Sequence, residues 1–269
     1  IATKIASVFG GLICIGLMFS LVFQAFVNII VPNSITVFDL FEGKLIKEIS
    51  TELEPHEVTI LSNPNRVVVT NYGTPDVEGE SITVINADNN EIEKTITLDE
   101  SLRPHGIIPL PHANKVAVVT DIGNDLTVVN VATGGVEKQI STQQDFSHLL
   151  VRHPIKPLIY VSNINSGSVS VIDIEQDKVI KIIPCSNRAE GIDITPDGSE
   201  IWVTNIKENF ISVINTETYK TTHRIETGKD PLRLKFSNNG EYCLVSNTGD
   251  GTVSVYDGKT KKYVTSITI

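Results

Sequence analysis

A tandem repeat of about 42 residues constrains this chain more than any other feature of its sequence. Short apolar runs that end in Asn or Asp recur six times, and the last four run ends stand 42 residues apart. A second apolar run of five residues follows each of them in step. The run ends are Asn28, Asn71, Asp121, Asn163, Asn205 and Asn247. Repeats of this length form stacked units that bury a core only together, so the pattern predicts one repeat domain.

Alternation of apolar and polar residues within each copy predicts short strands rather than helices. In the second copy we expect four strands, over residues 57–61, 66–71, 81–86 and 92–98. Turn residues separate the strands, as in the dipeptide Asn63-Pro64 and the tripeptide Pro196-Asp197-Gly198. A small four-stranded sheet buries both of its faces when copies pack radially around an axis. The prediction is an all-β chain, a β-propeller of four-stranded blades with about six repeats.

Three stretches resemble the signature of the YVTN-repeat β-propellers: Val203-Thr204-Asn205, the turn at Pro196-Asp197-Gly198, and the run from Val169 to Asp173. The resemblance covers residues 25–269. It implies an exported propeller that is distantly similar to lactonase propellers and to the haem-binding propeller of nitrite reductases. The family has no single activity, so the resemblance implies a fold rather than a reaction.

The number of strands counted in the sequence differs from the number that a closed ring of blades needs. The chain opens with strands two to four of a blade and contains five first strands, which we call inner strands, where six blades need six. Either one strand is missing, or the ring has seven blades and the sequence is truncated at its C-terminus.

Residues 1–24 differ from the repeats. The run from Ile5 to Phe23 has no charged residue over 19 positions, which as a helix nearly spans a bilayer core. We expect a signal peptide or a membrane anchor here, followed by the propeller at residues 25–269. This predicts an exported protein that is periplasmic, on the cell surface, or attached to the membrane through an uncleaved N-terminal segment.

The net charge and the cysteine content limit the classes of binding partner that we expect. The net charge of -10, with no cluster of basic residues, argues against binding of nucleic acid. Cys14 lies in the apolar first segment, and Cys185 and Cys243 lie at non-equivalent positions of different repeats. We expect inert thiols, with one disulfide between Cys185 and Cys243 as the alternative, rather than a zinc cluster. A small molecule or a protein is the expected partner.

One column of the repeat carries residues that bind metals. The second residue of successive inner strands is His56, His105, His148, Glu190 and then Leu232. Equivalent positions ring one mouth of the central channel, so four ligand-type side chains are predicted to converge there. Three imidazoles and a carboxylate suit a divalent transition metal with room for water or substrate. The alternative is that these histidines only form hydrogen bonds with the backbone.

Other side chains are expected to flank this column and bind a ligand. Arg103 and Arg188 precede it and Arg233 follows it, so they can hold an anion or form salt bridges. Tyr72 begins the longest loop between second and third strands, a candidate lid or specificity loop. The remaining histidines, His112, His153 and His223, do not share the column and are predicted to be surface or turn residues.

Three functions are compatible with these patterns. The first is an extracytoplasmic propeller that binds a small molecule or protein at its channel mouth, with or without a metal held by three histidines and a glutamate. The second is a metal-dependent hydrolase or lyase of lactonase-like activity. The third is a structural surface protein.

Overall fold

The computed structural model describes residues 24–27, 33–39, 41–62, 65–100, 102–111 and 114–269. Regular structure within these ranges consists of strands only, as predicted. The predicted signal peptide or anchor lies outside them except for its last residue. In the ranges described, no helix is long and apolar enough to cross a membrane.

The strands of the described residues form six sheets in chain order. Sheet 1 holds β1 (Gln24–Val27), β2 (Ser34–Asp39) and β3 (Leu45–Ser50). Sheet 2 holds β4 (Pro55–Ser62), β5 (Asn65–Gly73), β6 (Glu78–Asn86) and β7 (Glu91–Thr97). Sheet 3 holds β8 (Pro104–Pro109), β9 (Lys115–Thr120), β10 (Asp125–Asn130) and β11 (Gly135–Ser141).

The later sheets repeat the same arrangement. Sheet 4 holds β12 (Ser147–Arg152), β13 (Leu158–Asn163), β14 (Ser168–Asp173) and β15 (Lys178–Pro184). Sheet 5 holds β16 (Ala189–Ile194), β17 (Glu200–Asn205), β18 (Phe210–Asn215) and β19 (Thr221–Glu226). Sheet 6 holds β20 (Pro231–Phe236), β21 (Tyr242–Asn247), β22 (Thr252–Asp257) and β23 (Tyr263–Thr268).

Neighbours in sequence are neighbours in each sheet, and sheets 2 to 6 have four strands. The inner strands are β4, β8, β12, β16 and β20. The four strands predicted for the second copy correspond to β4–β7, with ends shifted by at most three residues. The described part of sheet 1 has three strands.

The chain divides into two compact units, one of residues 1–118 and 127–137, the other of residues 119–126 and 138–269. In the first unit, side chains on opposite faces of β5 enter different cores: Val68 packs with Ile82 and Val116, whereas Val67 packs with Ile35. Successive strand residues point to opposite faces, so a sheet with two apolar faces buries both.

The second unit follows the same rule around sheet 5. Val203 packs with Tyr160 of β13, whereas Trp202 packs with Phe236 of β20, their rings 4.9 Å apart and nearly perpendicular. Cys243 is buried in this second core and is a free thiol, as expected from its sequence position. Burial raises its pKa well above the ordinary value of 9.0, which keeps the thiol inert.

The Asn that ends the second strand is a structural residue. The Asn205 amide donates to the carbonyl of Phe210 and to the Ser212 hydroxyl, and Asn163 donates to Ser168 and Ser170 in the same way. These bonds tie the second strand of a sheet to its third. These residues therefore stabilise the turn between the two strands.

Candidate metal and ligand site

The residue before each inner strand has a left-handed backbone. These residues are Glu54, Arg103, Phe146, Arg188 and Asp230, with φ between 45° and 60°. Positive φ is uncommon for residues other than glycine, and for a bulky residue such as Phe it requires support from the surroundings. The repetition of this conformation at five equivalent positions shows that it is part of the repeat.

Side chains of the preceding sheet support this conformation. The Asn124 side chain accepts the N–H of Phe146 at 2.8 Å, and Asn209 accepts the N–H of Asp230 at 2.8 Å. In the first unit, Asn33 accepts the N–H of Glu54 at 3.1 Å. Loops between second and third strands therefore meet the start of the next inner strand.

A β-bulge follows the left-handed residue. The register of the inner strand shifts between Pro55 and Val58, between Ser147 and Leu149, and between Ala189 and Ile192. Consequently His56, His148 and Glu190 all lie in bulges. Bulges interrupt the regular alternation of side chains and redirect them, and they are common beside binding sites.

The hydroxyl of the second-strand motif holds the predicted column in place. In the first unit, the Thr70 hydroxyl accepts the N–H of Glu57 and donates to the carbonyl of His105 at 3.0 Å. In the second unit, the Ser162 hydroxyl donates to the carbonyl of Glu190 at 2.6 Å. One hydroxyl thus connects two neighbouring inner strands at the height of the column.

The first unit brings His56 and His105 side by side, with ring centroids 4.0 Å apart and planes tilted by 46°. Tyr72 packs against both rings, at 5.2 Å from His56 and 5.4 Å from His105. Nδ1 of His56 lies 3.8 Å from the carboxylate of Glu57. One ligand atom from each of His56, Glu57 and His105 lies within 4.8 Å of the other two, an arrangement that can hold a metal ion.

Accessibility differs between these residues. His105 is buried, with 1% of its surface exposed, whereas His56, Glu57 and Tyr72 are partly exposed. A ligand that reaches this cluster therefore meets His56 and Glu57 first.

Arg103 lies over the Tyr72 ring, with its guanidinium carbon 5.1 Å from the ring centroid. Its Nη2 donates to the backbone carbonyl of Thr74 at 3.0 Å. Its Nε lies 4.0 Å from the carboxylate of Glu78. Arg103 therefore contacts both the cluster and the loop that follows Tyr72.

In the second unit, four side chains of alternating charge follow one another: Asp121, His148, Glu190 and Arg233. Nδ1 of His148 lies 3.1 Å from Oδ1 of Asp121, and Nε2 of His148 lies 3.7 Å from Oε1 of Glu190. Nη1 of Arg233 donates to the same Glu190 oxygen at 2.9 Å. A carboxylate accepts hydrogen bonds, so Asp121 holds the Nδ1–H form of the imidazole.

These contacts set the protonation of the pair. Burial alone would lower the pKa of His148, but the hydrogen bond with Asp121 and the carboxylate of Glu190 at 3.7 Å outweigh it and raise the pKa above 6.5. Burial alone would raise the pKa of Glu190, but the imidazolium of His148 at 3.7 Å and the charges of Arg233 and Arg188 lower it below 4.5. His148 and Glu190 therefore stabilise each other as charged groups.

The predicted ligand-binding residues occupy different surroundings. Tyr72 lies on the histidine pair and Arg103 covers Tyr72. Arg233 is bound to Glu190, whereas Arg188 is exposed beside it. Each unit thus holds one half of the predicted column: His56 with His105 in the first, and His148 with Glu190 in the second.

Two residues of these clusters were missed from the sequence. Glu57 should point away from His56 in a regular strand, and only the bulge brings the two together. Asp121 had a visible signal, because it replaces the Asn that ends the second strand in the other copies. Its carboxylate binds His148, whereas Asn163 and Asn205 bind their own sheet.

The histidines outside the column are structural or exposed. His153 lies in the turn after β12, buried, where Nδ1 accepts the N–H groups of Ile155 and Lys156. His223 is exposed on β19. The turn assignment of His153 and the surface assignment of His223 are confirmed, and His112 lies outside the described residues.

A cleft of about 310 Å³ opens in the first unit beside the loop after Tyr72. Three acidic residues, Glu52, Glu78 and Glu80, contribute to its lining, and the histidine pair does not. Its carboxylates favour cationic over anionic occupants.

Comparisons with known proteins support the propeller. A hydrazine synthase chain of Kuenenia stuttgartiensis is similar in structure, with a TM-score of 0.79 and 17% identity over 91% of this chain and 83% of that chain. At this identity the likeness shows the fold alone, a β-propeller, as predicted. No curated protein matches the chain.

A family model described as the cytochrome D1 heme domain matches residues 107–269, more than half of the chain. The expected resemblance to propellers of the haem-domain kind is confirmed by this match. On this evidence the chain belongs to the cytochrome D1 heme domain family.

Proposed function

We propose that this chain is a ligand-binding propeller that holds a divalent transition metal with His56, Glu57 and His105. The observation that carries the proposal is the approach of three ligand atoms to within 4.8 Å of one another. Two ligand atoms on one such ion stand at most about 4.2 Å apart, so small rotations of the side chains complete the set.

The chemistry of the three groups supports a borderline ion. Imidazole suits zinc, copper, iron and nickel, and carboxylate tolerates the same ions. Three protein ligands leave at least one coordination position for water or for a small molecule. Partial exposure of His56 and Glu57 gives such a molecule access to the ion.

His148 and Glu190 were expected to complete this metal set. In the second unit Arg233 already donates to Glu190, and its positive charge opposes a second cation at that carboxylate. The metal proposal therefore rests on the three residues of the first unit, and we assign His148 and Glu190 to an ion-paired network beside the inner-strand starts.

Elemental analysis with matched variants tests the proposal. We expect about one equivalent of a transition metal in the wild-type protein and in His223→Ala, and its loss in His56→Ala and Glu57→Gln. His223→Ala is the control because it removes an exposed imidazole far from the column in sequence. Equal metal content in His56→Ala and His223→Ala would overturn the proposal.

Haem binding is the second candidate, favoured by the description of the family to which the chain belongs. Because the rings of His56 and His105 lie only 4.0 Å apart, one imidazole rather than two would bind the iron of a haem in the first unit. The sequence has no closely spaced cysteine pair, which limits the attachment to a non-covalent one.

The residues fit a haem in this limited way. His56, the more accessible histidine, would coordinate the iron, and Tyr72 would flank it. The acidic cleft next to the loop is a poor site for carboxylate groups of a macrocycle. When bound, a haem would supply an iron centre that exchanges electrons or binds small ligands.

Optical titration separates the two candidates. If the site takes haem, hemin added to the metal-free protein gives a shifted Soret band that His56→Ala loses and His223→Ala retains. If the site takes a bare ion, Co²⁺ gives visible absorption bands with the same dependence and hemin gives none. Turnover of lactones by the metal-loaded protein, absent in His56→Ala, would identify a hydrolase.

We propose an extracytoplasmic location for the propeller, on the evidence of the uncharged run before β1. The location can be tested by fusing residues 1–24 to alkaline phosphatase, because this enzyme is active only outside the cytoplasm. Active phosphatase supports export, and inactive phosphatase with intact fusion protein contradicts it. Release of the enzyme by cleavage distinguishes a signal peptide from an anchor.

A further inference from the structure

The loop after Tyr72 is a strand-built hairpin. β5 and β6 are nine residues long, whereas their counterparts β13 and β14 have six residues each. Gly73 pairs with Glu78, and the N–H of Thr74 donates to the carbonyl of Val77 at 2.8 Å. A side chain at Gly73 would come within 2.1 Å of the backbone nitrogen of Gly79, so glycine is required for this close pairing. We call residues 73–78 the hairpin tip.

Arg103, which directly precedes β8, binds this tip. Its Nη2 donates to the carbonyls of Thr74 at 3.0 Å and Pro75 at 3.4 Å. Its backbone N–H donates to the carbonyl of Gly79 at 2.8 Å. From one residue, these contacts reach the turn of the hairpin and its second strand, β6.

The same residue also contacts the histidine cluster. The guanidinium lies over the ring of Tyr72, within the distance at which cations attract aromatic faces. The Tyr72 ring in turn packs edge-on against His105 at 86°. Arg103 precedes His105 by two residues and has a left-handed φ of 57°, so its position relative to His105 is set by the backbone.

We propose that Arg103 is a latch: a positioning residue that holds the hairpin tip and Tyr72 against the His56–His105 pair and so slows the release of a bound metal. This inference rests on the metal-binding function proposed above. The guanidinium of Arg103 is already engaged by the carbonyls of the tip and by the Tyr72 ring. For this reason we assign Arg103 a role in positioning these groups rather than in binding an anion.

Arg66 provides a matched control in the same unit. Its side chain is 16% exposed, against 15% for Arg103. It also forms an ion pair, with Nε 2.6 Å from Glu93, and donates to Asn114 at 3.1 Å. Arg66 therefore matches Arg103 in burial and bonding, but it bonds with Glu93 and Asn114 instead of Tyr72 and the hairpin tip. Its removal tests the general cost of losing an arginine.

The experiment compares metal release by stopped flow after mixing Co²⁺-loaded protein with a chelator. We expect Arg103→Met to release Co²⁺ at least tenfold faster than wild type, Arg103→Lys to recover part of the difference, and Arg66→Met to match wild type. Lysine can bond the tip carbonyls but lacks the planar group that lies on Tyr72. Equal release rates in Arg103→Met and Arg66→Met would overturn the latch.

Hydrogen exchange of the backbone amides at residues 73–79 tests the latch without any bound metal. We expect faster exchange there in Arg103→Met than in Arg66→Met, in metal-free protein. Unchanged exchange would overturn the latch even if no metal binds. Absence of Co²⁺ binding in wild type would instead contradict the proposed function. If Arg103→Met lowers the melting temperature of the whole protein, the comparison with Arg66→Met is made instead with Arg103→Lys, provided that Arg103→Lys melts at the wild-type temperature.

Discussion

Asp121 and His148 lie 27 positions apart in sequence, yet both carboxylate oxygens of Asp121 come close to Nδ1 of His148, at 3.1 and 3.3 Å. In the repeat, Asp121 occupies the position of a structural asparagine. One substitution in the third copy thus converts a residue that ties its own sheet into a partner of the next inner strand.

Restoring the repeat residue should change the titration of His148. In Asp121→Asn the imidazolium loses the charge of its closest partner, so we expect the pKa of His148 to fall from its raised value. Nuclear magnetic resonance of the histidine ring protons against pH measures this. Asp145→Asn, at an exposed position, is the control and should leave the titration of His148 unchanged.

Stability should depend on pH through the His148–Glu190 pair. The raised pKa of His148 contributes stability that is complete below 6.5 and is lost as the pH rises through the folded-state pKa. The lowered pKa of Glu190 contributes stability that is present above 4.5 and is lost as the pH falls through its folded-state pKa. Both contributions are present between these two values.

Urea denaturation of wild type and Glu190→Gln over this range tests the pair. We expect Glu190→Gln to lower the free energy of unfolding by about 3 kcal/mol near pH 5.5, because Arg233 and His148 lose a buried partner. The difference between the two proteins should shrink above the folded-state pKa of His148. A difference that does not vary with pH would contradict the ion-pair account.

The Thr204 hydroxyl should stabilise the junction of β16 and β20. It accepts the N–H of Gly191 at 2.7 Å and donates to the carbonyl of Leu232 at 3.3 Å. In Thr204→Val both groups lose a buried partner, which should cost about 1–3 kcal/mol in chemical denaturation. Thr204→Ser retains the hydroxyl and should recover most of this loss; equal losses in the two variants would refute the role of the hydroxyl.

Gly191, next to Glu190, should not tolerate a side chain. A Cβ at this position would lie 2.5 Å from the carbonyl oxygen of Leu232. We expect Gly191→Ala to destabilise the protein by about 1–3 kcal/mol, through strain of the backbone. Gly135→Ala is the control, because its nearest neighbour there is 3.5 Å away, and it should unfold at the wild-type denaturant concentration.

The sequence alone determined the strand order, the repeat and the column. The spacing of 42 residues places the ends of β13, β17 and β21 at Asn163, Asn205 and Asn247, because each copy obeys the same local rules. The pairing of equivalent positions followed from the repeat, and His56 does meet His105.

Tertiary structure decided which side chains share a site. The bulge at residues 55–58 breaks the alternation that would separate His56 from Glu57, and a period of two residues cannot anticipate such a break. The partners of His148 come from strand ends and from an inner strand far along the chain, so local patterns do not specify them. Arg103 likewise contacts Tyr72 and the hairpin tip because a left-handed backbone, supported by contacts between sheets, aims it there.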